Sequence, residues 1–233
     1  IWDYLRVPMS NSRISTGASR LAENPALFDS LEAAYGVDRE AIVAIWGMET
    51  SFGAVKGNFD APNVLANMAV EGRRKSLAER ELLSLIKILE QGDAERDDLI
   101  AGWAGAMGHT QFIPTTFQEY AVDFPGAGRR DIWAEDPSDA LASTAAYLSR
   151  HGWQRGLRWG AEAGPGAPSG RSLQPEPGGP VFAVTGNFNV IKRYNNSDSY
   201  ALGVGHLADR IAGGGPLRQA FGPDRFGMTI DQR

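Results

Sequence analysis

Cysteine is absent from all 233 residues, so neither a disulfide framework nor thiol chemistry is open to this chain, and its redox compartment is left undetermined. Histidine is scarce. The three present, His109, His151 and His206, are far apart and lack ligand spacing, which argues against a zinc site. No apolar run approaches the ~20 residues of a membrane-spanning helix. Basic runs are missing as well, and the formal net charge is −5, which argues against nucleic acid and against an anionic membrane surface as partners. What remains is ordinary globular usage, 42% hydrophobic and 22% charged, in a chain long enough for one sizeable core or two small lobes about a cleft. It opens on Ile1-Trp2-Asp3-Tyr4-Leu5 with no start methionine or signal segment, and is expected to be a processed or truncated piece.

One stretch is unlike the rest. Residues 41–53 carry a single ionisable side chain, Glu49, at the end of an otherwise apolar run. Asp38 is placed to cap a helix here, Glu40 falls in its first turn, and Gly53 lies just past the last residue that can be helical. Such a helix is apolar nearly all round and is therefore buried on most sides. Glu49 then sits in its last turn, where desolvation and the negative end of the helix dipole both disfavour the carboxylate and raise its pKa. A carboxyl kept protonated near neutral pH suits a general acid, and cleavage of a glycosidic bond uses one. A structural carboxylate, paired with arginine or held by backbone N–H groups, fits the same pattern.

Elsewhere helical patterns dominate. Residues 1–36 read as helical, with Pro25 in a first turn after Asn24 and a stop at Gly36. A loop from Ala54 to Asn63 precedes helical pattern at Val64, Leu65 and Met68, and a longer helix follows Arg73 and Arg74, which read as a solvated face. Glycines at three-residue intervals in Gly102-Trp103-Ala104-Gly105-Ala106-Met107-Gly108 let backbone approach a helix or a ligand closely. That motif lacks the lysine and the Gly-Lys-Ser/Thr ending of a phosphate loop. Gln111 and Phe112 pair an amide with a flat apolar face, a combination that suits a sugar ring. Thr116 and Glu119 have capping-box spacing, and Ser138 or Asp139 is placed to cap a further helix. Residues 123–131 have the outline of a calcium loop, but Pro125 and Ala127 offer no side-chain oxygen, and the segment reads as a metal-free turn. Residues 156–180 are rich in glycine and proline, with a strand expected at 181–184. Residues 187–202 read as a polar and aromatic loop between helical patterns, with Ser197 or Asp198 capping the second.

Three motifs in order, Trp46-Gly47-Met48-Glu49-Thr50-Ser51-Phe52-Gly53, Ala104-Gly105-Ala106-Met107-Gly108-His109-Thr110-Gln111-Phe112-Ile113-Pro114 and Arg193-Tyr194-Asn195-Asn196-Ser197, resemble the membrane-bound lytic transglycosylase B family. Trp2-Asp3-Tyr4-Leu5 and the segment from Ala201 to Asp209 look like it too, so the resemblance runs from about residue 1 to 212. It implies a mainly α (α+β) chain with a lysozyme-like catalytic core and a small irregular or β insertion. It implies cleavage of the β-1,4 bond between N-acetylmuramic acid and N-acetylglucosamine in peptidoglycan, with a 1,6-anhydro product and no water consumed. By the same resemblance Glu49 matches the catalytic acid/base, and Ser51, Met107, Gly108, Gln111, Phe112, Tyr194, Asn195 and Tyr200 match residues that bind the glycan. No metal or cofactor is carried over.

The expected organisation is one catalytic unit over 1–233: a helical lobe from 1–36 and 62–98, a core from 37–61, 99–155 and 185–212, and the insertion 156–184. The expected partners are peptidoglycan glycan strands and cell-wall proteins, not nucleic acid, with the chain a monomer. The expected location is the periplasm, with any outer-membrane anchor supplied upstream of Ile1. Two departures bear on activity: the family often has a serine where this chain has Gly102, and its calcium loop is degraded at Pro125 and Ala127. Two rival readings follow, a hydrolytic muramidase with Asp60 as the second acid, and a peptidoglycan-binding scaffold that has lost turnover.

Overall fold

The computed structural model describes residues 1–71 and 74–219, without the side chains of Trp2 and Asp3. Arg73 lies outside the described residues, and Arg74 is exposed. The chain is mainly helical: α1 (Trp2–Arg6), α2 (Asn11–Glu23), α3 (Pro25–Tyr35), α4 (Arg39–Thr50), α5 (Ala61–Glu71), α6 (Lys75–Glu90), α7 (Pro114–Tyr120), α8 (Ser138–Arg150), α9 (Gly186–Tyr194) and α10 (Asp198–Ile211). Two-residue strands β1 (Phe59–Asp60) and β2 (Ile100–Ala101) pair antiparallel. Strands β3 (Gly160–Glu162), β4 (Arg171–Leu173) and β5 (Phe182–Val184) form an antiparallel sheet with β5 in the middle.

Helix α4 is the axis of the core. Ile42, Val43, Ala44 and Ile45 are fully buried, as an all-round apolar helix requires, with α2, α3, α8 and α10 packed against α4. Asp38 occupies the N-cap position, but its carboxylate does not cap α4. It accepts from Trp153 Nε1 at 2.8 Å and from the Gly156 N–H, tying the start of α4 to the chain after α8.

Four further expectations are corrected. The proline-rich segment 156–180 contains β3 and β4, each pairing with β5 in a register that a strand-by-strand reading cannot see. Residues 186–194 are helix rather than loop, because Thr185 caps them and Phe188, Val190 and Ile191 find a core to enter; only the turn 195–197 is left, and Ser197 caps α10 as expected. Helix α7 starts at Pro114, so Thr116 and Glu119 form no capping box; Glu81 of α6 instead accepts from Thr115 N at 2.8 Å and Thr115 Oγ1 at 2.9 Å. Neither Ser138 nor Asp139 caps α8; its N-cap is Pro137, and Asp139 accepts from Phe124 N and Asp131 N, each at 2.6 Å.

The sheet meets the helices at Trp159, whose ring packs on Phe182 and Phe188 and whose Nε1 donates to Asp209 at 3.1 Å. Gly205 of α10 makes room for it: a Cβ there would stand 2.3 Å from the Trp159 ring. Gly205→Ala is therefore expected to cost about 1–3 kcal/mol through overpacking, lowering Tm by about 3–10 °C. Calorimetry tests this, and an unchanged Tm would mean that the ring swings aside freely.

Candidate active site

Glu49 comes to the end of α4 part-buried, against the core. Among the described residues its one side-chain hydrogen bond comes from Tyr200, whose Oη donates to Oε1 at 2.6 Å from the first turn of α10. Among the described residues no lysine or arginine pairs with it, so the reading as a structural ion pair fails. Burial pushes the Glu49 carboxyl up to about 7, and the Tyr200 hydrogen bond opposes this only in part. Burial also raises the Tyr200 and Tyr194 phenols, and the Glu49 charge raises them further. Tyr4 feels the same two effects in the same order while remaining 45% exposed.

The chain leaves α4 by a tight left-handed exit, with positive φ at Ser51, Phe52 and Gly53. For the two non-glycine residues this costs on the order of 1 kcal/mol each, and the surroundings hold it in place. Thr50 Oγ1 donates to His109 O at 2.6 Å and accepts from Gly53 N at 2.9 Å. Trp46 Nε1 donates to His109 Nδ1 at 3.2 Å, and His109 Nε2 reaches Ala134 O at 2.7 Å. Those contacts define the neutral tautomer with its proton on Nε2, and burial holds the His109 pKa below its ordinary value.

The glycine motif folds back on itself through paired backbone bonds, Met107 N to Phe112 O at 2.9 Å and Phe112 N to Met107 O at 3.0 Å. Gly108 has φ +70, and a Cβ there would stand 2.5 Å from Ile132 O, so the turn requires glycine. Gln111, also at positive φ, donates its amide to Lys56 O at 3.2 Å and Gly108 O at 3.0 Å. Its Oε1 alone remains to accept, and the place of a Gly102 Cβ is 3.0 Å from that oxygen. Tyr194 Oη donates to Thr110 O at 2.5 Å, which fastens α9 to the same turn.

Glu49, Tyr194 and Tyr200 are thus brought together, and the Gln111 turn is tied to them through Thr110 and His109. Met107 and Phe112 are 0% and 2% exposed, and the Phe112 ring packs against Tyr147 and Tyr194. Gly108 is buried as backbone beside Ile132. Ser51 accepts from Arg13 Nη2 at 2.8 Å and lines a polar cleft to which Glu49 does not contribute. Asn195 is exposed just past α9. Sequence reasoning passed over Tyr4 and Trp103; the latter is 79% exposed in the glycine motif, where a large ring without a core to enter is itself a signal.

The loop at 123–131 uses its acids internally. Asp123 accepts from Ala127 N and Gly128 N, each at 2.7 Å, and Asp131 accepts from Trp133 N and Ala134 N. With Pro125 and Ala127 at its third and fifth positions, this donor set does not fit a calcium ion.

The model described as "Transglycosylase SLT domain" matches residues 1–167 and 166–209. Membrane-bound lytic murein transglycosylase B of Escherichia coli (strain K12) is 32% identical over 211 residues, which cover 76% of this chain and 58% of that relative. The chain thus spans less than two thirds of that curated relative. SltB3 from Pseudomonas aeruginosa, solved in complex with NAG-NAM-pentapeptide, superposes with a TM-score of 0.91 at 42% identity over 96% of this chain and 70% of that one. The Escherichia coli lytic transglycosylase Slt35, solved in complex with calcium, gives a TM-score of 0.78 at 28% identity over 90% and 77%. The fold is therefore the lysozyme-like fold of the lytic transglycosylases.

An acid whose pKa is raised on folding holds its proton in the folded state while the unfolded chain has lost it. For Glu49 that window runs from 4.5 to about 7, so it lowers stability as pH rises through the window and has its full cost above it. Glu49→Gln, which never ionises, is expected to gain up to about 3 kcal/mol on the wild type at pH 8.5 relative to the difference at pH 4. Urea unfolding at the two pH values measures this, and an equal difference at both would refute it.

Proposed function

Since this chain belongs to the transglycosylase SLT family, we propose that it is a lytic transglycosylase acting on peptidoglycan, with Glu49 as acid and then base. The neutral Glu49 carboxyl gives its proton to the oxygen linking N-acetylmuramic acid to N-acetylglucosamine as the C1–O bond breaks. The substrate's own N-acetyl oxygen supports C1. The Glu49 carboxylate then takes the proton of the 6-hydroxyl as that oxygen closes on C1, giving the 1,6-anhydro end with no water consumed and Glu49 reprotonated.

The observation that carries this reading is a carboxyl that has, among the described residues, one phenol partner and no cation, with burial pushing its pKa up to about 7. Such a group is poised to give a proton and take it back at neutral pH. Tyr200 donates to the anion that forms in between, while Oε2 has no hydrogen-bond partner among the described residues and is not sealed from solvent. SltB3 has been solved with both NAG-NAM-pentapeptide and NAG-anhNAM-pentapeptide, and transferred to this chain those complexes support a peptide-bearing strand as substrate and an anhydro end as product. Such a substrate supports a periplasmic location.

The muramidase reading is less well supported, because Asp60 already accepts from Asn63 N at 2.9 Å and from Arg96, and among the described residues no second carboxylate perturbs Glu49. The scaffold reading rests on Gly102 alone.

Incubation with sacculi and mass spectrometry of the released fragments is expected to give ends lighter by one water than hydrolysis products. Glu49→Gln should lower the rate by about 10²–10⁴-fold, and wild-type activity should fall as pH rises through about 7. Reducing ends would mean a muramidase, and binding without release a scaffold. Trp103, the exposed ring beside Gly102, is assigned to glycan stacking; Trp103→Ala should raise KM about 5-fold with kcat little changed, for a stacking contact of about 1 kcal/mol. An unchanged KM would remove Trp103 from the glycan path.

A further inference from the structure

A second cleft, of about 660 Å³, runs between α2 and the left-handed exit of α4, with Arg13, Thr16, Arg20, Ser51, Gly53 and His109 among its walls. Arg13 and Arg20 are two helical turns apart and share one face of α2. Arg13 donates a single bond, to Ser51 Oγ, and has no carboxylate partner among the described residues; burial without an acid lowers its pKa. Arg20 lies over the Trp46 ring, 5.7 Å from its centroid, and pairs at its outer end with Glu23 at 2.9 Å. Its Nε is buried with no acceptor. A desolvated donor left open in this way is uncommon in a folded protein. His109 adds no charge, since both ring nitrogens are engaged in the neutral form. Glu135 stands on the rim, fully exposed and 4.0 Å from Lys56. In a chain of net charge −5, two guanidinium groups short of acceptors in a walled cleft form a local site for an anion.

We propose that this cleft binds a carboxylate of the peptide carried by the glycan strand, held by the Arg13 and Arg20 guanidinium groups. The planar fork of arginine matches a carboxylate, and hydroxyls such as Thr16 supply further donors. Reach supports the peptide as the source. Ser51 and Gly53 lie two and four positions after Glu49 in the chain, and a peptide attached to a sugar seated at Glu49 extends by about 3.3 Å per residue. The inference rests on the reading of the substrate as peptide-bearing peptidoglycan.

The test compares kcat/KM on peptide-bearing strands and on strands stripped of peptide, for wild type, Arg13→Gln, Arg20→Gln and the double variant, with Tm measured for each. The wild type should prefer peptide-bearing strands. The double variant should lose about 10-fold on them and keep its rate on stripped strands, while Arg13→Lys and Arg20→Lys retain part of the preference. An equal fall on both substrates would assign the arginines to structure and overturn the inference, as would no change on either. A second arm titrates the Glu49→Gln protein with free stem peptide and with inorganic phosphate. Peptide binding that vanishes in the double variant supports the inference, and phosphate binding without peptide binding means a small-anion site and overturns it. If wild type released nothing from either strand, the proposed activity would fail while the binding arm still decided this point.

Discussion

A carboxyl group carried into a core by a helix loses the water that solvated its charge, and at Glu49 nothing cationic among the described residues takes the place of that water. Much of the architecture serves this one imbalance. Helix α4 is apolar on every side so that its last turn is enclosed, and its neighbours there are phenols and backbone rather than lysine or arginine. The nearby Arg13 is turned to Ser51 and belongs to another cleft. A guanidinium placed against Glu49 would stabilise the fold and remove the proton that the proposed chemistry needs.

Buried titratable groups elsewhere pull the other way. His206 is held down to about 4, chiefly by burial, so the stability it contributes is present above the ordinary 6.5 and is lost as pH falls through that window. Glu49 withdraws stability as pH rises from 4.5 to about 7. The windows overlap between pH 4.5 and 6.5, where one slope offsets much of the other, and above that overlap only the cost of ionising Glu49 still grows.

The apolar run with one acid at its end was legible from residues alone, because the cost of burying a charge is a property of the residue and its neighbours in sequence. Glu49, Tyr200 and the tie between the Gln111 turn and Tyr194 agree with that reading. What the sequence hid depended on distant partners. Asp38 and Glu81 stand where capping rules operate, yet each spends its carboxylate on another segment. Phe112 is buried where Tyr147 and Tyr194 pack against it from helices far along the chain. The strands β3 and β4 are too short and too rich in glycine to show a period of their own, and they exist by pairing with β5.

Four of the bonds that lock the site together share one asymmetry. Thr50, Tyr194 and Gln111 supply side-chain donors, while the acceptors are the main-chain oxygens of His109, Thr110, Lys56 and Gly108. A main-chain oxygen is present whatever residue occupies the position. Half of each joint is therefore indifferent to substitution, so mutation can wander through the accepting segments while the donors stay put. Wiring of this kind lets a cleft hold its shape across relatives whose sequences have drifted far apart.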